Sequence, residues 1–245
     1  MSVSYQAVGW NAFKKRYDLW LLVGVVVFLG AFIGVSLGVN PEATLEIMLI
    51  RATATAAVVL LHVILMSGPL ARLDRRWLPV VYNRRHLGVT FFMLALVHAV
   101  LVLVTYHVGS DINPVLSVFV SDSGPGLGGF PFQAVGAVAL VIFFLMAATS
   151  HDFWLANLTA PVWKTLHMLV YLAYALVVVH VVFGVLQAET SVMYGMLMLI
   201  GVVAVAGLHV MAGLTGRALD RELEGEGLDE GCARDEPAPE VRRAA

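Results

Sequence analysis

Eight histidines carry most of the chemistry open to this chain. Five of them, His62, His98, His167, His180 and His209, lie inside long apolar runs. His86 and His107 sit at the two ends of one such run, and His151 falls in a polar connection. An ionisable group in a bilayer is costly and needs a reason. Apart from histidine, and Lys164 at the start of one run, the runs hold no charged residue and no carboxylate, which argues against ion-coupled transport on membrane carboxylates. A lone membrane histidine more often hydrogen-bonds a neighbouring helix. Several together, in segments otherwise free of ionisable groups, point to ligation instead. A neutral imidazole is a good axial ligand for haem iron, and a four-helix membrane bundle can hold haem edge-on between facing histidines. The single cysteine, Cys232, leaves no disulfide framework and no Cys-based iron–sulfur or zinc site. Phe91, Phe92, Met93, Phe143 and Phe144, close to these histidines in sequence, read as packing.

The elements that position the histidines follow from composition. Hydrophobic residues make up 60% of the 245 and charged residues 13%, with a mean hydropathy of +0.85. Such a chain would aggregate as a soluble fold, so lipid is its solvent. About twenty apolar residues cross the hydrocarbon core as a helix. Six runs qualify: Trp20–Val39, Ala52–Leu70 ending at Gly68-Pro69, Leu87–Tyr106, Phe132–Ser150, Val162–Leu186 with Thr159 as N-cap and Pro161 in the first turn, and Val192–Leu214. The fold class is therefore an all-α integral membrane protein, a six-transmembrane-helix bundle. Its parts are a cytoplasmic N-terminal segment 1–19, the membrane domain 20–214, and an acidic tail 215–245 expected to be disordered.

Six crossings put both termini on one side. With that side cytoplasmic, every one of the 15 basic residues except Arg51 faces inward, in agreement with the positive-inside rule. Trp10, Trp20, Trp77, Trp154 and Trp163 then form an inner aromatic belt. The expected location is the cell (inner) membrane. The first run is too long for a signal-peptide core and is read as a retained helix. The outer loop between His107 and Pro131 holds an apolar stretch, Ile112–Val120, suited to the interface, and a flexible turn at Asp122-Ser-Gly-Pro-Gly-Leu-Gly-Gly. The net charge of −2 gives no reason to expect nucleic acid as a partner. No dinucleotide or phosphate-loop motif occurs in a soluble context.

Depth pairs the histidines. His98 lies about 20 Å from the level of Arg84 at helical rise, and His180 is at a similar height on a run of the same direction. His167, three residues past Lys164, lies toward the inner face. His167 and His180 are thirteen residues apart, which turns them about 140° around an ideal helix. Two haems stacked on one axis would then need side-chain reach, helix curvature or a π-bulge. The spacing permits one haem or two.

At these residues the chain resembles the ferric-reductase-like transmembrane domain family, and within it the MsrQ-like haem-binding membrane subunits. The pieces that carry the resemblance are Pro69-Leu-Ala-Arg72, Arg84-Arg85-His86-Leu87-Gly88 leading to His98, Thr149-Ser150-x-Asp152, and Trp163-x-x-Leu166-His167-x-Leu-Val-Tyr171 leading to His180. They span roughly residues 20–214. The resemblance implies six helices binding b-type haem and passing single electrons across the membrane, with His98, His167 and His180 matching the family's haem histidines. The oxidase branch has a further histidine at the slot that Arg84 fills here, so a complete four-histidine set does not carry over. His62 is then the first substitute partner for His167 and His86 the second. Arg84 and Arg85, with Arg72, Arg75 and Arg76, lie where inner-side propionates or an anionic donor cofactor would sit, and equally where topology-setting charge belongs.

The expectation is a haem b protein, with one or two haems, acting as an electron-transfer (oxidoreductase) subunit without its own substrate domain. Electrons enter from a cytoplasmic-side protein or a quinol and leave to a periplasmic or extracellular redox partner or to ferric iron. A flavin or quinone stays open as a further cofactor. The competing expectation is a non-redox structural or transport membrane protein whose histidines are interhelical hydrogen-bonding groups.

Overall fold

The computed structural model describes residues 12–109, 111–120, 129–188 and 191–234, with side chains from 217 onward left undescribed. It is helical throughout, with no strand among the described residues. In chain order the helices are α1 (Ala12–Val39), α2 (Leu45–Leu73), α3 (Leu78–Tyr82), α4 (Arg84–Val102), α5 (Pro114–Val120), α6 (Phe132–Ala148), α7 (Asp152–Asn157), α8 (Ala160–Phe183), α9 (Val185–Ala188) and α10 (Val192–Arg234). A 3-10 turn, Arg75–Trp77, precedes α3, and a π-helical turn, Leu103–His107, follows α4.

The long helices form a ring. α2 packs on α4, α4 on α6, α6 on α8, and α10 returns to α2, while α1 lies against α2 from outside. The seam between α8 and α10, and the interior between α4 and α8, are bridged by side chains rather than by close backbone packing. α2 is the central element, with 44% of its most apolar stretch buried against 17% or less for the other four long helices. Its alanines make that possible. Ala52, Ala56 and Ala57 are buried, and small residues let helix backbones approach where lipid supplies no hydrophobic drive. Leu61, Leu65, Phe91 and Phe143 fill the core, with the Phe91 and Phe143 rings edge to face at 4.6 Å. The outward faces are apolar: Val26, Val27, Leu199, Ile200 and Val203 are all exposed, as lipid-facing residues should be.

Polar contacts gather at one end of the ring. His86 on α4 pairs with Asp18 on α1 at 2.6 Å, and Arg85 pairs with Asp152 at the start of α7 at 2.5 Å. His151 caps α7 by accepting from the Phe153 N–H at 3.2 Å. The start of α1, the start of α4, the turn after α6 and the start of α8 therefore share one end. At the opposite end His107 bonds Ser117 at 2.6 Å, folding α5 back on the π-helical turn.

The structure departs from the sequence reading in several places. Among the described residues five helices are long and apolar enough to cross a membrane; the helix at the fourth expected crossing, Phe132–Ala148, has 17 residues. Pro131 delays its start, and Thr149 and Ser150 turn their hydroxyls back onto backbone carbonyls at its end. Six crossings thus rest on a helix of about 26 Å. Gly68-Pro69 does not end α2, which continues to Leu73. A membrane helix tolerates an interior proline where neighbouring groups satisfy the freed backbone. α2 also starts before Ala52 and takes in Arg51. Thr159 does stand at the N-cap of α8 with Pro161 in the first turn, although its hydroxyl makes no cap bond. α8 itself is unbroken to Phe183, so no π-bulge reorients its two histidines.

The tail expected to be disordered is helical as far as Arg234. α10 has already borne the nucleation cost, and Arg217-Ala-Leu-Asp-Arg-Glu-Leu-Glu consists largely of good helix formers that propagate it. The outer turn from Asp122 to Gly128, residues 1–11 and residues 235–245 lie outside the described residues.

Candidate functional site

The interior of the ring holds the histidines, and each imidazole is aimed by its Nδ1. On α4, His98 donates from Nδ1 to the Ile50 carbonyl of α2 at 3.1 Å. On α8, His180 donates from Nδ1 to the Phe132 carbonyl of α6 at 2.7 Å. A carbonyl can only accept, so the proton is on Nδ1 and Nε2 keeps its lone pair. Neither Nε2 has a hydrogen-bond partner among the described residues. The two rings, on facing helices, are within electrostatic reach of each other. A second-shell carbonyl fixing tautomer and ring orientation is the usual preparation of a metal-binding histidine.

Glycine lets the His180 ring lie where it does. A Cβ at Gly136 of α6 would stand 2.6 Å from His180 Nδ1, so a side chain there would displace the imidazole. Gly201 of α10 plays the same part for His62, whose ring would meet a Cβ there head-on. Sequence reading had no means to find these glycines, because what matters is the helix opposite.

The structure does not bring His62 to His167. The buried His62 Nε2 shares a hydrogen bond with the Tyr174 hydroxyl of α8 at 3.0 Å, with the rings edge to face. Tyr174 is seven residues past His167, about 10 Å along the helix, so His62 stands that far from the level of His167. His86, the other substitute, turns away to Asp18 and lies edge-on to Tyr17. Both are substitutes for the family histidine whose slot Arg84 fills, and the resemblance carries no position for either.

His167 is held at the polar end. Its Nδ1 donates to the Trp163 carbonyl at 2.9 Å, and the ring stacks on the Trp163 indole at 3.8 Å. Its Nε2 lies 3.4 Å from Ser150 Oγ, but that hydroxyl spends its one proton on the Met146 carbonyl at 2.7 Å. The His167 lone pair is therefore not strongly engaged. Arg84 is within electrostatic reach of His167 and of Tyr171, and its guanidinium lies against Gly68. Arg85 is paired with Asp152. On α10, His209 donates from Nδ1 to the Val205 carbonyl at 2.8 Å and accepts from the Tyr171 hydroxyl at 3.1 Å.

This arrangement fits haem on the chemistry of its donors: two imidazoles within electrostatic reach of each other, each with its Nδ1 tied to a carbonyl, with a helix backbone kept bare at Gly136 beside one of them.

Comparison with known proteins gives the family. Residues 51–178, from the second turn of α2 to late α8, match the family described as ferric reductase like transmembrane component. The chain is 32% identical over 168 residues to a protein-methionine-sulfoxide reductase heme-binding subunit, MsrQ, of Ralstonia nicotianae, covering 67% of this chain and 70% of that protein. No solved structure matches. The chain is a multi-pass membrane protein, and it belongs to the ferric reductase-like transmembrane family.

Proposed function

We propose that this protein is a b-type haem electron carrier of the cell (inner) membrane, with six crossings and both termini cytoplasmic. The observation that carries the reading is the opposed pair His98 and His180, each with Nδ1 tied to a carbonyl and Nε2 open. Bound there, haem supplies reversible one-electron chemistry at iron. The chain's own residues do the rest. Ile50 and Phe132 orient the ligands through their carbonyls, Gly136 leaves room for one of them, and the apolar core around Leu61, Phe91 and Phe143 excludes water. Arg84, facing the interior near His167, is placed to neutralise a propionate, whereas Arg85 is spent on Asp152.

Electrons enter at the polar end from a cytoplasmic-side protein or a quinol and leave at the other to an outer redox protein or ferric iron. A lipid-facing groove of about 210 Å³, lined by Leu22, Val25, Met93 and Val97 with Asp18 at its polar end, supports the quinol. That the relative is named as the haem-binding subunit of a methionine sulfoxide reductase supports a protein acceptor.

One observation favours the alternative, in which the histidines are only interhelical hydrogen-bonding groups: His62 and His209 both meet tyrosine hydroxyls across helices. Sealed vesicles separate the readings. With the protein inserted and a ferric chelate enclosed, an external quinol should reduce the chelate, and His98→Ala vesicles should not. Equal, slow reduction in wild-type, variant and empty vesicles would leave only the alternative.

A further inference from the structure

We propose that His209 is the axial partner of His167 for a second haem b at the polar end of the ring, a proposal that rests on the haem reading above. Height comes first. Tyr174, His62 and Gly201 share one level, since Tyr174 bonds His62 and Gly201 abuts its ring. From that level α8 runs seven residues back to His167, about 10 Å, and α10 runs eight residues on to His209, about 12 Å. The helices are antiparallel, so both steps go the same way, and the two histidines lie within about 2 Å of one height. The bond from Tyr171, one turn above His167 on α8, to His209 keeps His209 within about one helical turn of His167 in height. His62 is a full two helical turns away from that height, and His180 lies on its far side.

Orientation comes next. His167 and His209 are prepared alike: each donates from Nδ1 to the carbonyl four residues before it, Trp163 and Val205, so each presents an Nε2 lone pair. What stands before those nitrogens is displaceable: a serine oxygen at 3.4 Å before His167, and the Tyr171 hydroxyl before His209. His167 and Tyr171 are four residues apart and share a face of α8, so a ring reaching Tyr171 reaches the side of α8 that carries His167. α8 and α10 meet here through side chains and are not closely packed, which leaves the seam open to a flat macrocycle.

Charge comes last. Arg84 lies at this level too, because Gly68, which it touches, is six residues below His62 on α2, about 9 Å. Its guanidinium is within reach of His167 and Tyr171, so a propionate at the polar end would find a partner.

The test is haem stoichiometry and spectrum of the purified full chain, from cells supplied with porphyrin precursor and iron. Wild type should carry two haems per chain. His209→Gly should carry one, and imidazole added to that variant during haem reconstitution should restore the second and its low-spin spectrum. Tyr171→Phe should keep two, which separates a ligand from a hydrogen-bond partner, and His62→Leu should also keep two. One haem per chain in wild type, or an unchanged ratio and spectrum in His209→Gly, would overturn the assignment of His209 while leaving the His98–His180 haem standing. Loss of all haem in wild type would instead remove the reading on which the proposal rests.

Discussion

Ile50 and Phe132 contribute to the site through backbone carbonyls, which no substitution of their side chains removes. The sensitive positions are the imidazoles and the glycine beside one of them. Gly136→Ala should push His180 off its present place, since a Cβ would sit 2.6 Å from the ring. The expected outcome is loss or marked broadening of the haem α-band at unchanged membrane insertion, read by optical spectroscopy of the purified protein. Gly201→Ala strikes His62 in the same way and should leave that band in place, because His62 bonds Tyr174 rather than facing His98 or His180. At this scale the sequence was legible in part. Histidines in charge-free runs announced themselves because bilayers tolerate few ionisable groups. Their partners did not: Tyr174, Ser150 and the two glycines acquire meaning only from the opposing helix. His62, the substitute for an absent family histidine, bonds Tyr174 instead, because partnership needs rotation and the register of a second helix, which one segment does not carry.

Helix ends were the least legible elements. Apolar runs marked where lipid begins, but the helices run past those limits, α1 back to Ala12, α2 on through Pro69 and α10 on to Arg234. Hydropathy detects the boundary of the solvent, and hydrogen bonding continues beyond it. The polar extensions are where helices are clipped together. α1 makes its described polar link to α4 through Asp18 and His86, with side chains 30% and 18% exposed. The Arg85–Asp152 pair is about one-third exposed on each side and joins α4 to the turn after α6. A double-mutant cycle on Arg85→Ala and Asp152→Ala, followed by denaturant unfolding in detergent, should return a coupling of about 0.5–1 kcal/mol that shrinks with added salt. A salt-independent coupling of several kcal/mol would mean that the pair is sealed from water, contrary to its exposure.

For the whole molecule, composition alone identified the solvent, and the ring of helices with imidazoles inside follows from it. Apolar faces turn outward because lipid is as apolar as they are, and the few polar groups turn inward because only protein can satisfy them. The result is a scaffold whose polar end carries Arg84, Arg85, Asp18 and His86 and whose middle holds the imidazoles of His98 and His180. Under the proposed haem reading such an arrangement is expected to carry electrons rather than ions, since among the described residues the interior offers imidazoles without a chain of carboxylates. Vesicles holding the protein should therefore conduct electrons from quinol to an enclosed chelate without a proton or sodium leak above that of empty vesicles, as read by a pH-sensitive or sodium-sensitive dye.

The most direct measurement is the reduced-minus-oxidised visible spectrum, with haem per polypeptide, of wild type, His98→Ala and His180→Ala prepared in parallel with ample porphyrin. Ligation by the facing imidazoles of α4 and α8 predicts a low-spin b-type α-band in wild type and its loss at that site in each single variant, with the protein still inserted and helical. A colourless wild type, or variants that keep the full wild-type band, would contradict it.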